Sequence, residues 1–270
     1  MNIKRLILAL IFGPSSSFAF VVKTSTALSK WSENSGSGLY FIEQEVQFSQ
    51  ETSTSPTGRD NGMHDLILKE QWLVMDESHM KLTVTGPGLR WVYVYENGSR
   101  YQQINGNKKA KPFSDQFVER YFHFRKPDHL QKTLAAAGVA IDPQPKLSRT
   151  GGVVALAIGS AADGATEDRP TLFLEQDQFV LRKFRFASGA EIVAEKYTVY
   201  PRGLQYPKIR TVRWTQKMGS EKQEKVVGLQ TLHVQAKFEK KPQLNLESSQ
   251  GGLPEGSMRS LVEEFYSRFR

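Results

Sequence analysis

The chain has 270 residues, of which 36 are Lys or Arg and 28 are Asp or Glu, and its formal net charge is +8. It contains no cysteine, which excludes disulfides, thiolate metal sites and cysteine nucleophiles. This length suits one large β domain or two small ones, and the moderate positive charge fits either contact with an anionic surface or simple solubility.

The N-terminus has the pattern of a cleavable secretory signal peptide. Basic Lys4 and Arg5 precede a short apolar run at 6–12, and small residues then lead to Ala19. This order of basic, apolar and small-residue regions is typical of export signals, whereas a transmembrane span needs about 20 apolar residues. We therefore predict cleavage after Ala19 and a periplasmic location. Since the chain has no cysteine to carry acyl groups, we do not expect the mature protein to be a lipoprotein.

The first half of the mature chain is predicted to consist mainly of strands. After a helical segment at 24–31, apolar residues recur at every second position from Tyr40 to Phe48, which indicates a half-buried strand. Asn97-Gly98 is a strong signal for a hairpin turn. Further strands are predicted at 66–74, 80–84, 90–95 and 100–104, followed by a basic loop at 105–112.

The hydrophobic period changes in the middle of the chain. Phe113, Phe117, Tyr121 and Phe124 fall at helical spacing, with Ser114 as a plausible N-cap. A second helix is predicted at 128–138, followed by a linker to 152. Strands resume at 153–158, 171–175, 179–186, 191–200, 208–217 and 223–238, before a polar tail at 239–256 and a short helix at 258–269.

This order of elements predicts a mainly β fold of about 10 or 11 antiparallel strands, with helices inserted near the middle. A meander of this size usually curls or closes into a barrel. The inserted helices carry too many aromatic side chains to lie in water. We therefore expect a curled antiparallel sheet, an unclosed β-barrel, whose concave side is covered by a helical lid.

The chain resembles a known family in three short stretches. These are the strand at 43–48, Leu73-Val74 before a turn, and the aromatic hairpin at 91–101. In this arrangement it resembles the periplasmic outer-membrane lipoprotein carriers, the LolA-like superfamily, as a distant member. The resemblance implies a LolA/LolB-like fold and three segments, namely a signal peptide at 1–19, a LolA-like β domain at 20–240, and a polar tail with a short helix at 241–270.

One turn departs from the pattern of that family. In the carriers, a basic residue beside a proline at the turn after the second strand helps to hold the cargo. Here the corresponding turn reads Asp76-Glu77-Ser78. The resemblance therefore implies an apolar or acyl-chain ligand in general rather than lipoprotein cargo in particular.

The sequence shows no catalytic or metal-binding motif. The five histidines form no HxH, HxxH or HExxH pair, and there is no G-x-S-x-G element. Glu43 and Glu45 share one strand face, where solvation explains them better than a catalytic pair does. We expect no enzymatic activity, no metal and no cofactor.

Apolar residues on the predicted strands and helix are the candidate ligand site. A concave sheet under an aromatic helix can enclose a cavity for acyl chains, although the same residues could simply fill a core. The basic side chains of Lys208, Arg210 and Arg213 could contact a lipid head group or membrane, or could protect an edge strand. The candidate cavity residues are Tyr40, Ile42, Val46, Phe48, Trp72, Val74, Leu82, Trp91, Tyr93, Tyr95, Phe117, Tyr121 and Phe124.

These patterns predict a periplasmic carrier or chaperone that binds acyl chains of lipoproteins or lipids for transfer to the outer membrane. The alternative is an envelope-stress sensor or regulatory protein of the same fold that binds lipid or misplaced protein. The expected partners are lipoprotein acyl chains or lipid, and an inner- or outer-membrane protein. We expect a monomer and no nucleic-acid partner.

Overall fold

The computed structural model describes residues 22–50, 64–159, 169–218, 221–240, 242–253 and 256–270. The predicted signal peptide lies outside the described residues. Within these ranges, no helix has the length and apolar composition needed to cross a membrane.

The described chain forms three α-helices, two short 3₁₀ helices and fourteen strands. The α-helices are α1 (Thr24–Glu33), α2 (Pro127–Ala136) and α3 (Ser257–Arg268), and the 3₁₀ helices are Glu119–Phe122 and Pro201–Gly203. The strands are β1 (Tyr40–Gln50), β2 (His64–Val74), β3 (Met80–Gly86), β4 (Leu89–Glu96), β5 (Ser99–Ile104), β6 (Asn107–Pro112), β7 (Lys146–Thr150), β8 (Val153–Ile158), β9 (Thr171–Glu175), β10 (Leu181–Arg185), β11 (Glu191–Val199), β12 (Gln205–Met218), β13 (Glu221–Gln235) and β14 (Ser248–Gly251).

All of these strands join one sheet in the order β6-β5-β14-β4-β3-β2-β1-β13-β12-β11-β10-β9-β8-β7, and β4 also pairs with β5. Neighbouring strands are antiparallel except for β14 and β5, which are parallel. β1 lies near the middle, where Val46 is opposite Leu68 of β2 and Leu229 of β13. Since β6 and β7 stand at opposite ends of this order, the sheet is a curled but unclosed barrel. The predicted fold class is confirmed.

Alternation along the strands gives the sheet a buried face and a more exposed face. On β1, Ile42, Val46 and Phe48 are fully buried, whereas Gln47 between them is exposed. Successive side chains of a strand point to opposite faces, so the buried set lines the concave side. The core of the protein lies there, under the helices.

The number of strands is larger than the sequence predicted. The basic loop at 105–112, the linker before 152 and the polar tail contribute β6, β7 and β14, respectively. β6 is exposed along its whole length, so it has no apolar alternation to reveal it. β14 is only four residues long, and it is fixed by pairing with distant strands rather than by its own composition.

The helix predicted from the mid-chain aromatic residues is also shorter than expected. Only Glu119–Phe122 is helical, as a single 3₁₀ turn. Phe113 and Phe117 instead fill the core with their rings, which contact Tyr95 at centroid distances of 5.9 and 4.6 Å. The spacing of these aromatics therefore reflects packing against the sheet rather than a continuous helix.

Candidate functional site

The predicted cavity residues come together on the concave face of the sheet. Twelve of the thirteen are buried, and Trp91 is partly buried against the same apolar cluster. Their side chains are covered by other parts of the chain. Contact with a ligand therefore stays a prediction.

The segment at 113–124 supplies one part of that cover. The ring of Phe117 stacks on Tyr95 of β4 at 4.6 Å and on Trp72 of β2 at 6.2 Å. Tyr121 packs edge-on against Phe184 of β10 at 4.8 Å. This segment therefore spans the interior between the two halves of the sheet.

Helix α3 supplies another part. The ring of Phe265 meets Phe48 of β1 edge-on at 5.4 Å, and Tyr266 meets Trp91 of β4 in the same way at 5.6 Å. Just beyond the helix, Phe269 lies 5.0 Å from Trp214 of β12. The C-terminal segment thus occupies the concave side where a ligand was predicted to bind.

The sequence predicted this helix at 258–269, after a polar tail, but its role in covering the sheet was missed. The available signal was the spacing of Leu261, Val262, Phe265 and Phe269, which repeats at three and four residues and predicts a helix with one apolar face. All four side chains are buried.

A network of charged and polar side chains crosses this apolar interior. Glu119 of the first 3₁₀ helix accepts a 2.8 Å hydrogen bond from Arg210 of β12, and neither side chain is more than 1% exposed. The hydroxyl of Tyr206 also donates to Glu119, and the Nε2 of His123 lies 3.1 Å from the same carboxylate.

The protonation states in this network follow from burial and pairing. Burial alone would raise the pKa of Glu119, but Arg210 and the hydrogen bond from His123 outweigh it and hold this pKa well below its usual range. Burial lowers the pKa of His123, although Glu119 opposes that shift. Glu119 is therefore ionised and His123 neutral at pH 7.

A second buried ion pair joins the residues just after α3 to the sheet. The Nε of Arg270 donates to Glu70 of β2 at 3.0 Å, and both side chains are fully buried. The indole of Trp72 donates to the same carboxylate at 3.0 Å. Gln44 of β1 links the two pairs, because its amide donates to Glu70 and its oxygen accepts from Arg210.

This network was not predicted, although the sequence contained its signal. Gln44 has the same strand parity as buried Ile42 and Val46, and Glu70 has the same parity as buried Leu68 and Trp72. Polar side chains at strand positions that face the core need buried hydrogen-bond partners.

The position of Arg210 differs from the surface position predicted for it. Its guanidinium lies inside the protein between Glu119 and Gln44, so it does not face a membrane or a head group. Lys208 and Arg213 are exposed on the same strand, and their head-group role stays a prediction.

An open groove of about 650 Å³ lies elsewhere, along α2 and the residues that follow it. None of the thirteen predicted cavity residues lines it. Its lining is Asp128, Gln131, Lys132, Ala135, Gly138, Val139, Ala140 and Ile141.

Comparison with known proteins finds similarity in structure alone. No family model matches the chain, and no curated protein sequence matches it. A LolA superfamily protein from Nitrosomonas europaea is 12% identical with a TM-score of 0.52, over 80% of this chain and 94% of that one.

Two further solved structures are less similar. A putative outer membrane lipoprotein-sorting protein domain from Vibrio parahaemolyticus is 11% identical with a TM-score of 0.47, over 89% of this chain and 97% of that one. A chain of the MucA/MucB complex from Pseudomonas aeruginosa is 11% identical with a TM-score of 0.24, over 80% of this chain and 99% of that one. TM-scores this low carry no argument about function.

The first similarity agrees with the curled, unclosed sheet described above. At 12% identity it bears on the fold and not on the ligand. The chain has a LolA-like fold, as its sequence pattern predicted for a distant member of that superfamily.

Proposed function

We propose that the protein is a non-enzymatic periplasmic carrier or chaperone that holds acyl chains of lipoproteins or lipids against the concave face of its sheet. The acyl chain would be passed on to the outer membrane through a membrane partner protein. The envelope-stress sensor remains the alternative prediction.

The observation that supports this proposal most directly is the nature of the cover. The concave face is lined by apolar side chains of many strands, including Ile42, Val46, Leu82 and Tyr93. It is covered by separate helical and irregular pieces of chain, among them the segment at 113–124 and α3, rather than by a second sheet. Movement of either piece exposes an apolar surface inside a curved wall.

The energetics of such a site are favourable for a chain of ordinary length. Burial contributes about 0.8 kcal/mol per CH₂ group, so ten methylenes contribute about 8 kcal/mol before the cost of moving the cover. Moving the cover costs less if the ligand replaces the contacts that the cover made.

Binding of a neutral fluorescent probe, 1-N-phenylnaphthylamine, to the purified full chain tests the proposal. We expect an increase in emission that a lipid extract or a fatty acid reverses. Native mass spectrometry of protein purified from membranes is expected to show co-purifying lipid. The proposal fails if neither lipid nor displaceable probe is found.

A pair of variants locates the site. Val46→Phe adds volume to the concave face, at a cost of about 1–3 kcal/mol in stability, and should weaken probe binding about tenfold, or about 1.4 kcal/mol. Ile67→Phe makes a comparable change at a side chain of β2 that is 50% exposed, and should leave binding unchanged. Equal effects of the two variants would place the probe somewhere else.

A further inference from the structure

We infer that the interior site occupied by α3 and the two residues after it selects single-chain amphiphiles with a cationic head, because this segment brings the cation of Arg270 to buried Glu70. This inference rests on the proposed function and narrows its ligand class.

The C-terminal segment has the form of a ligand with an apolar body and a positive end. Val262, Phe265 and Phe269 are fully buried against the sheet, while the opposite face carries the exposed pair Arg259 and Glu263. At the end of this apolar body, the Arg270 guanidinium lies over the ring of Trp72 at 5.7 Å and donates to Glu70 at 3.0 Å.

Among the described residues, the charges that are fully buried balance only while α3 and Arg270 lie against the sheet. The carboxylates of Glu70 and Glu119 face the guanidiniums of Arg270 and Arg210, and buried His123 is neutral. Arg210 belongs to the sheet, and its closest carboxylate contact is with Glu119 at 2.8 Å. If α3 leaves, Arg270 leaves with it, and Glu70 keeps the neutral donors Gln44 and Trp72 but loses its guanidinium partner.

A buried carboxylate without a cation is strongly unfavourable. An acyl chain with an anionic head would bring a second negative charge to this point, and a neutral chain would leave Glu70 uncompensated. A chain that ends in an ammonium group would replace both the apolar contacts of α3 and the charge of Arg270.

Arg100 is a cation near α3 that could favour the opposite charge. Its guanidinium lies 5.0 Å from the ring centre of Tyr93 and donates to the backbone oxygens of Tyr266 and Arg270. Its side chain is only half-buried, so it can turn to water when α3 leaves. Glu70 is fully buried on the central part of the sheet and cannot turn to water. The charge of Glu70 therefore decides which head group the site prefers.

The test compares three probes of one chain length on the full protein at pH 7: dodecylamine, dodecanol and dodecanoate. Binding is followed by displacement of 1-N-phenylnaphthylamine and by tryptophan emission, since three of the four tryptophans contact α3 or Arg270. We expect dodecylamine to bind at least about tenfold more tightly than either of the others.

Two variants assign the preference to Glu70. Glu70→Gln should remove it, so that dodecylamine and dodecanol bind alike. Glu175→Gln, which removes a carboxylate paired with Arg182 on β9 and β10, should keep it. If Glu70→Gln does not fold, Arg270→Gln carries the test, because it removes the competing cation and should strengthen dodecylamine binding relative to dodecanol.

The outcomes separate this inference from the proposed function. Equal binding of the three probes, tighter binding of dodecanoate, or a preference that survives Glu70→Gln overturns the cationic selectivity while the carrier function stands. If none of the probes binds and 1-N-phenylnaphthylamine does not bind either, both are overturned.

Discussion

Phe265→Ala is the substitution that best separates a movable α3 from a permanent part of the core. The ring of Phe265 is fully buried and contacts Phe48 at 5.4 Å, Trp214 at 6.4 Å and Phe269 at 5.8 Å. Truncation of such a ring to alanine costs about 3–5 kcal/mol. If α3 can leave the sheet on its own, that loss falls on the docking of α3 and not on the unfolding of the sheet.

Hydrogen exchange measured by mass spectrometry distinguishes the two cases. A loss of about 3–5 kcal/mol in docking should speed exchange of the α3 amides by roughly 150- to 5,000-fold, with little change in β1. The matched control is Phe184→Ala, because Phe184 is equally buried against Tyr121 and Phe186 and makes no ring contact with α3. It should lower the stability of the whole sheet instead. If Phe265→Ala speeds exchange in α3 and β1 equally, α3 is not a separable cover.

Three further predictions concern the buried charges and the export signal. Glu119→Gln leaves Arg210 buried without its carboxylate and should lower the free energy of unfolding by about 3–5 kcal/mol, measured by urea titration at pH 7. The pKa of Glu119 is held below the value of about 4.3 for an unfolded chain. Its contribution to the free energy of unfolding is therefore present above that pH and is lost as the pH falls. Glu119→Gln should therefore flatten the loss of stability between pH 5 and pH 3, and an unchanged slope would contradict the assignment. Burial also lowers the pKa of His123, so the unfolded chain takes up a proton below about pH 6.5 that the folded protein does not. His123→Gln should therefore reduce the decline in the free energy of unfolding between pH 7 and pH 5. A decline equal to that of the unaltered protein would refute this. N-terminal sequencing of the exported protein should begin at Phe20, and retention of residues 1–19 would contradict the predicted cleavage.

The alternation of apolar residues was enough to predict the fold class. Tyr40 to Phe48 and the hairpin around Asn97-Gly98 have the period and the turn residues of paired strands, and these signals are local. β6 and β14 could not be found in this way, because exposed or very short strands carry no alternation and exist only through their neighbours.

The candidate site was predicted in part. The apolar wall of the site follows from strand parity, and the structure places those side chains on the concave face. The position of α3 over that wall depends on contacts between residues more than 150 positions apart, such as Phe265 with Phe48 and Arg270 with Glu70. No local pattern specifies such a contact, and the pairing of Arg210 with Glu119 was missed for the same reason.

Photo-cross-linking tests the central claim, that apolar chains bind on the concave face, most directly. A fatty amine with a diazirine near its chain end would be bound to the full protein, irradiated, and located by peptide mass spectrometry. We predict labels on inward-facing residues of β1–β4, such as Val46 and Leu82, with protection by an excess of dodecylamine. Labels confined to outward-facing residues such as Ile67, or to the groove beside α2, would contradict it.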